Sequence, residues 1–171
     1  WLSDRLMTAL PAVRLRSDVE RKRLHGQIIE SHTGAAPEQG LYTNAASQRT
    51  YQKLAELTED VCGAGWSVIV DAAFLQKWQR KMFQELAVRL AIPWMIVDCH
   101  ASESTLKSRV MQRLEMGMDA SEANDAVLQI QLQTAKPLDV GEREHTIIVE
   151  TQSDIDVDAV IKRLISKLDE P

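Results

Sequence analysis

Apolar positions along the chain follow two alternating periodicities. Short runs rich in Val, Ile and Leu predict four β-strands, at residues 12–16, 67–71, 94–98 and 145–150. Between them, apolar residues recur every three to four positions, which predicts helices at residues 1–10, 18–29, 43–64, 76–90, 103–116, from 121 onward and 154–168. Strands that alternate with long helices require right-handed crossovers and form a mostly parallel sheet. The pattern predicts one α/β/α layered domain spanning residues 1–171.

The strongest strand is Ser-Val-Ile-Val-Asp, at residues 67–71. A continuous β-branched run of this kind predicts a strand buried on both faces of a parallel sheet. It ends in Asp71, and an unpaired carboxylate beside a buried strand is costly without a ligand. Such a carboxylate can hold a magnesium ion, usually through water, or orient a substrate hydroxyl. The alternative is an ordinary strand-end acid that caps residues 72–74.

A second candidate site lies where the strand at 12–16 runs into a helix. Ser17 and Asp18 are typical of a helix start, and Arg21 follows one turn later on the same helical face. Open α/β sheets bind their ligands at this carboxyl edge. Asp18 could accept the proton of a hydroxyl there while Arg21 holds an anion such as phosphate. The alternative is a helix N-cap followed by a solvated basic turn.

Arg109 and Arg113 are four residues apart on one predicted helix and therefore share a face. Two guanidiniums placed in this way, just before a glycine-containing turn, could close over a phosphate chain and balance its charge. The alternative is a pair of surface salt bridges to the neighbouring acids, which are Glu103, Glu115 and Glu122.

Composition narrows the class of protein. The formal charge of -5 argues against a general electrostatic grip on nucleic acid, although it leaves room for a local basic patch around Arg21. Apolar runs fall short of the roughly 20 residues needed to cross a bilayer, and the N-terminal residues show no signal pattern. Cys62 and Cys99 lie far apart in apolar settings, which predicts buried reduced thiols and a cytoplasmic protein. The histidines lack metal-ligand spacing.

Four segments, taken in order, resemble one family closely. They are Arg-Leu-Arg-Ser-Asp-Val-Glu-Arg-Lys-Arg-Leu, Val-Ile-Val-Asp-Ala-Ala-Phe-Leu, the Arg109 and Arg113 pair, and Asp-Ala-Ser-Glu-Ala from Asp119. The chain resembles the P-loop kinase-like ATP-binding domains related to polynucleotide 5'-kinase, gluconate kinase and zeta toxin, in the branch often fused behind an aminoglycoside-phosphotransferase-like domain. This similarity extends over nearly the whole chain. It implies a three-layer P-loop NTPase-type sheet with ATP and Mg²⁺ at its carboxyl edge.

The resemblance also implies a role for each candidate residue. Asp18 matches the general base toward the acceptor hydroxyl, and Arg21 matches the arginine that steadies the reacting phosphate. Asp71 matches the acid that ends the strand after the second crossover. Arg109 and Arg113 match the lid arginines that neutralise the transferring phosphoryl group. The implied activity is an ATP-dependent phosphotransferase acting on a hydroxyl.

One part of the family pattern does not occur in these residues. They contain no Gly-x-x-x-x-Gly-Lys-Ser/Thr, the loop whose backbone amides and lysine cradle phosphates. A doubly wound sheet without the strand that carries this loop would leave two neighbouring strand edges unpaired. The chain also begins at Trp1 rather than Met. We therefore expect a longer chain, or another segment, to supply the central strand.

Two other functions remain open at this point. One is an ATP-binding regulatory module that serves a fused or separate kinase-like partner, and the other is a degenerate scaffold without catalysis. In the kinase hypothesis, the lid spans about residues 103–135, and the loop-like segment 26–40 shapes the acceptor pocket. Sugar, nucleoside, antibiotic and nucleic-acid 5'-end all remain open as acceptors.

Overall fold

The computed structural model describes residues 2–27, 43–116 and 125–168. Strands and helices alternate through these residues, as the hydrophobic pattern predicts. The helices are α1 (Leu2–Ala9), α2 (Ser17–Leu24), α3 (Asn44–Gly63), α4 (Lys77–Leu90), α5 (Glu103–Met116), α6 (Asp125–Thr134), α7 (Val140–Glu144) and α8 (Val157–Leu168). The strands are β1 (Ala12–Arg16), β2 (Ser67–Asp71), β3 (Ile96–His100) and β4 (Thr146–Glu150). None of the described helices is long and apolar enough to span a membrane.

All strand pairing in the described part of the chain is parallel. β1 pairs with β2, with Arg16 opposite Asp71, and β3 pairs with β4, with Ile96 opposite Thr146. These are two separate two-stranded sheets rather than one continuous sheet. Ile69 of β2 and Val97 of β3 nevertheless pack against the same apolar cluster. β2 and β3 therefore border one apolar cluster without sharing a hydrogen-bond ladder.

The main apolar cluster joins α1, β4 and α8. Ile147 and Val149 alternate on β4 and are 1% and 4% exposed, because both point toward α8. Val160 and Leu164 meet them from α8, one turn apart on a single helical face. Leu6 of α1 completes the cluster. Since α1 also contacts β1 and β2, this short helix connects the two sheets.

Local signals explain where several helices begin and end. The Thr43 hydroxyl accepts from the Ala46 amide and caps α3, and Gln76 forms a reciprocal capping box at the start of α4. α2 ends at Leu24 rather than near residue 29, because Gly26 adopts a φ of 64° and its amide donates to the Arg23 carbonyl.

The structure corrects the expected burial of β2 and the expected start of β3. β2 is only half-buried, because its second edge has no strand partner among the described residues. β3 begins at Ile96, two residues later than expected, and Trp94 instead stacks on the His145 ring at 4.4 Å. Trp66, just before β2, is 57% exposed. The sequence pattern did not predict the short helix α7.

Two further expectations concern the thiols and the helix from residue 121. Both cysteines are free, but Cys62 is half-buried and Cys99 is exposed, so the expectation of two buried thiols was wrong. The helix is described as α6, from Asp125 onward, and its expected start at Ser121 lies outside the described residues.

Candidate functional site

Asp18 lies directly after β1, on the first turn of α2, where its carboxylate is held by a forked ion pair. Arg16 donates from Nε to Oδ1 at 3.1 Å and from Nη2 to Oδ2 at 2.6 Å. The Val19 amide donates to Oδ1 at 2.8 Å. Arg16 occupies the N-cap position, although its side chain makes no capping hydrogen bond. The junction therefore fixes the direction of the Asp18 carboxylate.

Asp71 ends β2 and is connected to α1. Its Oδ2 accepts from the Ser3 hydroxyl at 2.8 Å and lies 3.3 Å from Nε of Arg14. Arg14 also pairs with Asp4 of α1. Among the described residues, the partners of Asp71 are thus Ser3 and Arg14 rather than the amides of residues 72–74. Arg14 and Asp71 share the sheet face that α1 covers, since side chains two positions apart in a strand point the same way.

The loop after β2 contacts α3 and lies near Arg21 of α2. Phe74 adopts a φ of 49°, which is rare for a bulky residue, and its amide donates to the Tyr51 hydroxyl at 3.1 Å. Burial raises the pKa of Tyr51, while the Phe74 hydrogen bond and the charge of Arg21 oppose that rise. The Arg21 guanidinium therefore lies within electrostatic reach of this loop. Its expected neighbour Asp18 is instead paired with Arg16.

Arg109 of α5 reaches the carboxyl ends of the other strand pair. It donates to Oγ1 of Thr151 at 3.1 Å and also to the Thr151 carbonyl. Thr151 in turn donates from its amide and its hydroxyl to the His100 carbonyl, at 2.7 and 2.8 Å. Arg109 is thus fixed at the end of β3 and β4 rather than paired with Glu103, whose partner is Lys107 at 2.8 Å.

Arg113 lies one turn beyond Arg109 on α5 and is half-buried. The spacing of four residues places the two guanidiniums on one helical face, as expected from the sequence. Glu122, one of the alternative partners considered for this pair, lies outside the described residues.

Charges from the two strand pairs act on one thiol. The pKa of Cys99 is raised first by loss of hydration and then by the carboxylates of Asp98 and Asp71, while Arg109 opposes the rise. Asp71 of β2 and Arg109 of α5 are therefore close enough to influence the same atom.

Asp71 is the candidate magnesium ligand of this site. Among the described residues, no group of three or more His, Cys, Asp and Glu side chains is arranged to hold a metal ion. Magnesium at phosphate sites needs only one or two carboxylates, because waters and phosphate oxygens supply the other ligands. Both described contacts of Asp71 use Oδ2, so Oδ1 is available to such an ion. The residues present fit a water-bridged magnesium at Asp71.

Comparison with known proteins bears on the family and the fold of the chain. A family model described as an AAA domain matches residues 1–138. The chain belongs to this AAA-domain family. A gluconokinase from Sinorhizobium meliloti 1021 superposes with a TM-score of 0.61 at 18% identity, covering 98% of this chain and 82% of that one. An unliganded sugar kinase from Janibacter sp. HTCC2649 gives 0.64 at 17%, covering 98% and 86%. No curated protein sequence matches the chain.

These findings confirm the α/β fold of the P-loop NTPase type and the resemblance to P-loop kinase-like domains. At 17–18% identity the structural likeness shows the fold alone, so the substrates of the two kinases are not transferred.

Sequence reasoning missed four residues that hold the candidate side chains, namely Ser3, Arg14, Arg16 and Thr151. The sequence carried a signal for two of them. Arg14 and Arg16 lie two positions apart on β1, so both side chains lie on the same face of the sheet as Asp71. Most of the segment 26–40, expected to shape the acceptor pocket, and Asp119 of the fourth motif lie outside the described residues.

Proposed function

We propose that this chain is an ATP-dependent phosphotransferase that moves the terminal phosphoryl group of ATP onto a hydroxyl, in a small molecule or at a nucleic-acid end. The observation that carries the proposal is the placement of two acids at the carboxyl ends of adjacent strands, Asp71 at the end of β2 and Asp18 just after β1. Arg16 is the register partner of Asp71, and Asp18 follows Arg16 by two residues. A potential base and a potential magnesium ligand therefore share one carboxyl edge, as phosphoryl transfer requires.

Each candidate residue then has a distinct role. Asp18 accepts the proton of the acceptor hydroxyl, with its carboxylate oriented by the Arg16 fork. Arg21 holds the reacting phosphate. Arg109 and Arg113 balance the negative charge that spreads over the phosphoryl oxygens during in-line transfer.

Asp71 is the residue proposed to hold magnesium. Its Oδ1 would contact the ion through water, while Ser3 and Arg14 keep Oδ2 in place. When bound, magnesium supplies charge neutralisation at the phosphate oxygens.

The separation of the described strands into two sheets supports a further part of the proposal. Half-buried apolar strands with unpaired edges are unfavourable, because their backbone donors and acceptors lack partners. The edges of β2 and β3 are proposed to accept a parallel strand that bears the phosphate-binding loop. This strand would join the two sheets into one and direct the phosphates toward Asp71 and Arg109.

One observation favours a second candidate, an ATP-binding regulatory module. The Asp18 carboxylate already accepts hydrogen bonds from the Arg16 fork and from the Val19 amide, so few of its lone pairs are left to accept a proton from a substrate hydroxyl. A regulatory module would bind ATP saturably, hydrolyse it slowly and phosphorylate no acceptor.

The two functions are separated by measuring transfer of labelled γ-phosphate from ATP to a panel of sugars, nucleosides, aminoglycosides and nucleic-acid 5'-ends. With an active acceptor, Asp18→Asn is expected to lower kcat by about 10²–10⁴, the usual contribution of a general base, and to leave ATP binding intact. Asp98→Asn is the matched control, because Asp98 contacts His100 instead. Unchanged turnover in Asp18→Asn would exclude Asp18 as the base, and ATP binding without any acceptor would favour the regulatory module.

A further inference from the structure

A buried ion pair connects two loops that are distant in sequence. Arg80 of α4 and Glu142 of α7 are 5% and 2% exposed and lie 62 residues apart. Nε of Arg80 donates to Oε1 of Glu142 at 2.7 Å, and Nη2 donates to Oε2 at 3.1 Å. The carboxylate and guanidinium therefore meet in the planar two-bond geometry that only arginine provides.

The remaining donors of Arg80 bind backbone carbonyls from both loops. Nη1 donates to Phe74 at 3.0 Å and to Lys136 at 3.2 Å, and Nη2 donates to Pro137 at 3.2 Å. Together with the two bonds to Glu142, these contacts use all five N–H donors of the guanidinium. Phe74 belongs to the loop that follows Asp71, whereas Lys136 and Pro137 belong to the segment between α6 and α7. Lysine has too few donors to replace this set.

Weaker contacts surround the buried pair and join the same two loops. The Lys136 amide donates to the Leu75 carbonyl at 2.8 Å, and the Gln76 side chain donates to the Thr134 carbonyl at 2.9 Å. Nearer the surface, Lys77 pairs with Asp139 at 2.8 Å. The loops are thus connected from the interior outward.

The Glu142 carboxylate receives donors other than Arg80. The Asp139 amide donates to Oε2 at 2.8 Å and the Gln84 side chain to Oε1 at 3.2 Å. The hydrogen bonds from Arg80 lower the pKa of Glu142 despite its burial, so the group stays charged. A buried pair of charges is tolerated only when its polar atoms are satisfied in this way.

We propose that Arg80 and Glu142 form a positioning pair that holds the loop after Asp71 in register with the segment joining α6 to α7. The left-handed Phe74 is the part of the first loop that needs this support, because its carbonyl is held by Arg80 and its amide by Tyr51. Through this loop the pair sets Asp71 relative to α6. The kinetic consequence rests on the proposed phosphotransferase function, whereas the coupling of the loops does not.

The test compares Arg80→Lys with Arg89→Lys in the full chain. Arg89 lies on the same helix and makes a forked pair with Glu59, but both side chains are exposed. Amide hydrogen exchange is measured at Phe74 and Lys136, one in each loop. Arg80→Lys is expected to speed exchange at both amides by about tenfold or more, while Leu164 in α8 stays protected and Arg89→Lys changes none of them.

Lys77→Met is a milder variant that can be used if Arg80→Lys does not fold, because it removes the ion pair with Asp139. Its control is Lys81→Met, since Lys81 pairs with Glu85 on the exposed face of the same helix. The Lys77 variant is expected to loosen Lys136 more than its control does. The coupling would be overturned if exchange at Lys136 were unchanged in both Lys77→Met and Arg80→Lys. It would also be overturned if Arg80→Lys loosened only one of the two loops.

Kinetics with an active acceptor distinguish positioning from simple structural support. Arg80→Lys is expected to lower kcat about tenfold with little change in the KM for ATP, as expected when reacting groups lose alignment but binding persists. Arg89→Lys should stay within about twofold of the wild type. Looser loops with an unchanged kcat would overturn the positioning role. A wild-type protein that includes the strand with the phosphate-binding loop and still transfers no phosphoryl group would refute the proposed function. Hydrogen exchange would then still decide the coupling.

Discussion

The two strand pairs have equal length and the same parallel pairing, yet their side chains differ in kind. On β1 and β2, the face toward α1 carries Arg14 and Asp71, and these charges pair with Ser3 and Asp4 of α1. On β4, the face toward α8 carries Ile147 and is almost inaccessible to solvent. At these positions the first pair carries partly exposed charges, and the second pair carries apolar core residues.

This difference indicates how stability and chemistry are divided in the AAA-domain chain. Partly exposed ion pairs contribute little to folding, because water and salt screen them. Burial of apolar side chains contributes much more. We infer that the β3–β4 pair with α8 supplies much of the folding free energy, while the β1–β2 pair supplies the charges for the proposed reaction.

The most stringent test of this division compares two adjacent isoleucines. Ile147 is 1% exposed and Ile148 is 51% exposed, although both are in β4. Ile147→Ala is expected to lower the free energy of unfolding by about 2–5 kcal/mol, because it leaves a cavity against α8. Ile148→Ala should change it by only about 0.5 kcal/mol. Urea unfolding measures both, and equal losses would contradict the role of the apolar face.

A smaller effect is expected from Arg16 on the charged side. Arg16→Lys keeps the positive charge but loses the fork that orients Asp18. We expect kcat for phosphoryl transfer to fall about tenfold, while the free energy of unfolding changes by less than about 1 kcal/mol.

The control for Arg16→Lys comes from the other strand pair. Arg163 of α8 donates to the Ile148 carbonyl at the surface, so Arg163→Lys should leave kcat unchanged. If the two variants lowered kcat equally, or if Arg16→Lys destabilised the chain as much as Ile147→Ala, the proposed division would be wrong.

Local sequence signals were sufficient for most of the fold. β1, β2 and α5 occupy the predicted residues, because β-branched runs, helical spacing and terminal glycines act over a few neighbours. The predicted start of β3 was wrong for a physical reason. Apolar residues begin at Trp94, but a strand begins where its ladder begins, and Ile96 is the first residue opposite β4.

Less of the candidate site than of the fold could be predicted from the sequence. Asp18, Asp71 and Arg109 follow strands or occupy helix faces, so their placement could be expected. Their partners depend on contacts between distant segments, such as Arg109 with Thr151, 42 residues further along the chain. Hydrogen-bond complementarity of this kind leaves no periodic pattern in a single sequence.

The smallest predicted effect concerns His100, at the carboxyl end of the apolar pair. Its Nε2 lies 2.9 Å from Oδ2 of Asp98, and this hydrogen bond is the main cause that raises the pKa of His100 above 6.5. The charges of Asp98 and Glu150 add to the rise, and loss of hydration opposes it. Since the folded pKa exceeds the unfolded one, the stabilisation is complete below about pH 6.5 and disappears as pH rises through the folded pKa.

The measurement is the difference in the free energy of unfolding between the wild type and His100→Gln, determined in urea at pH 5.5 and pH 8.5. The His100 side chain is 47% exposed, so the difference should favour the wild type at pH 5.5 by less than about 1 kcal/mol. It should become smaller in an Asp98→Asn background, because Asp98 provides the main hydrogen bond and only the charge of Glu150 then remains to raise the pKa of His100. An equal or larger difference at pH 8.5 would show that the neutral ring stabilises the fold by packing, and a contribution from the charge would then be excluded.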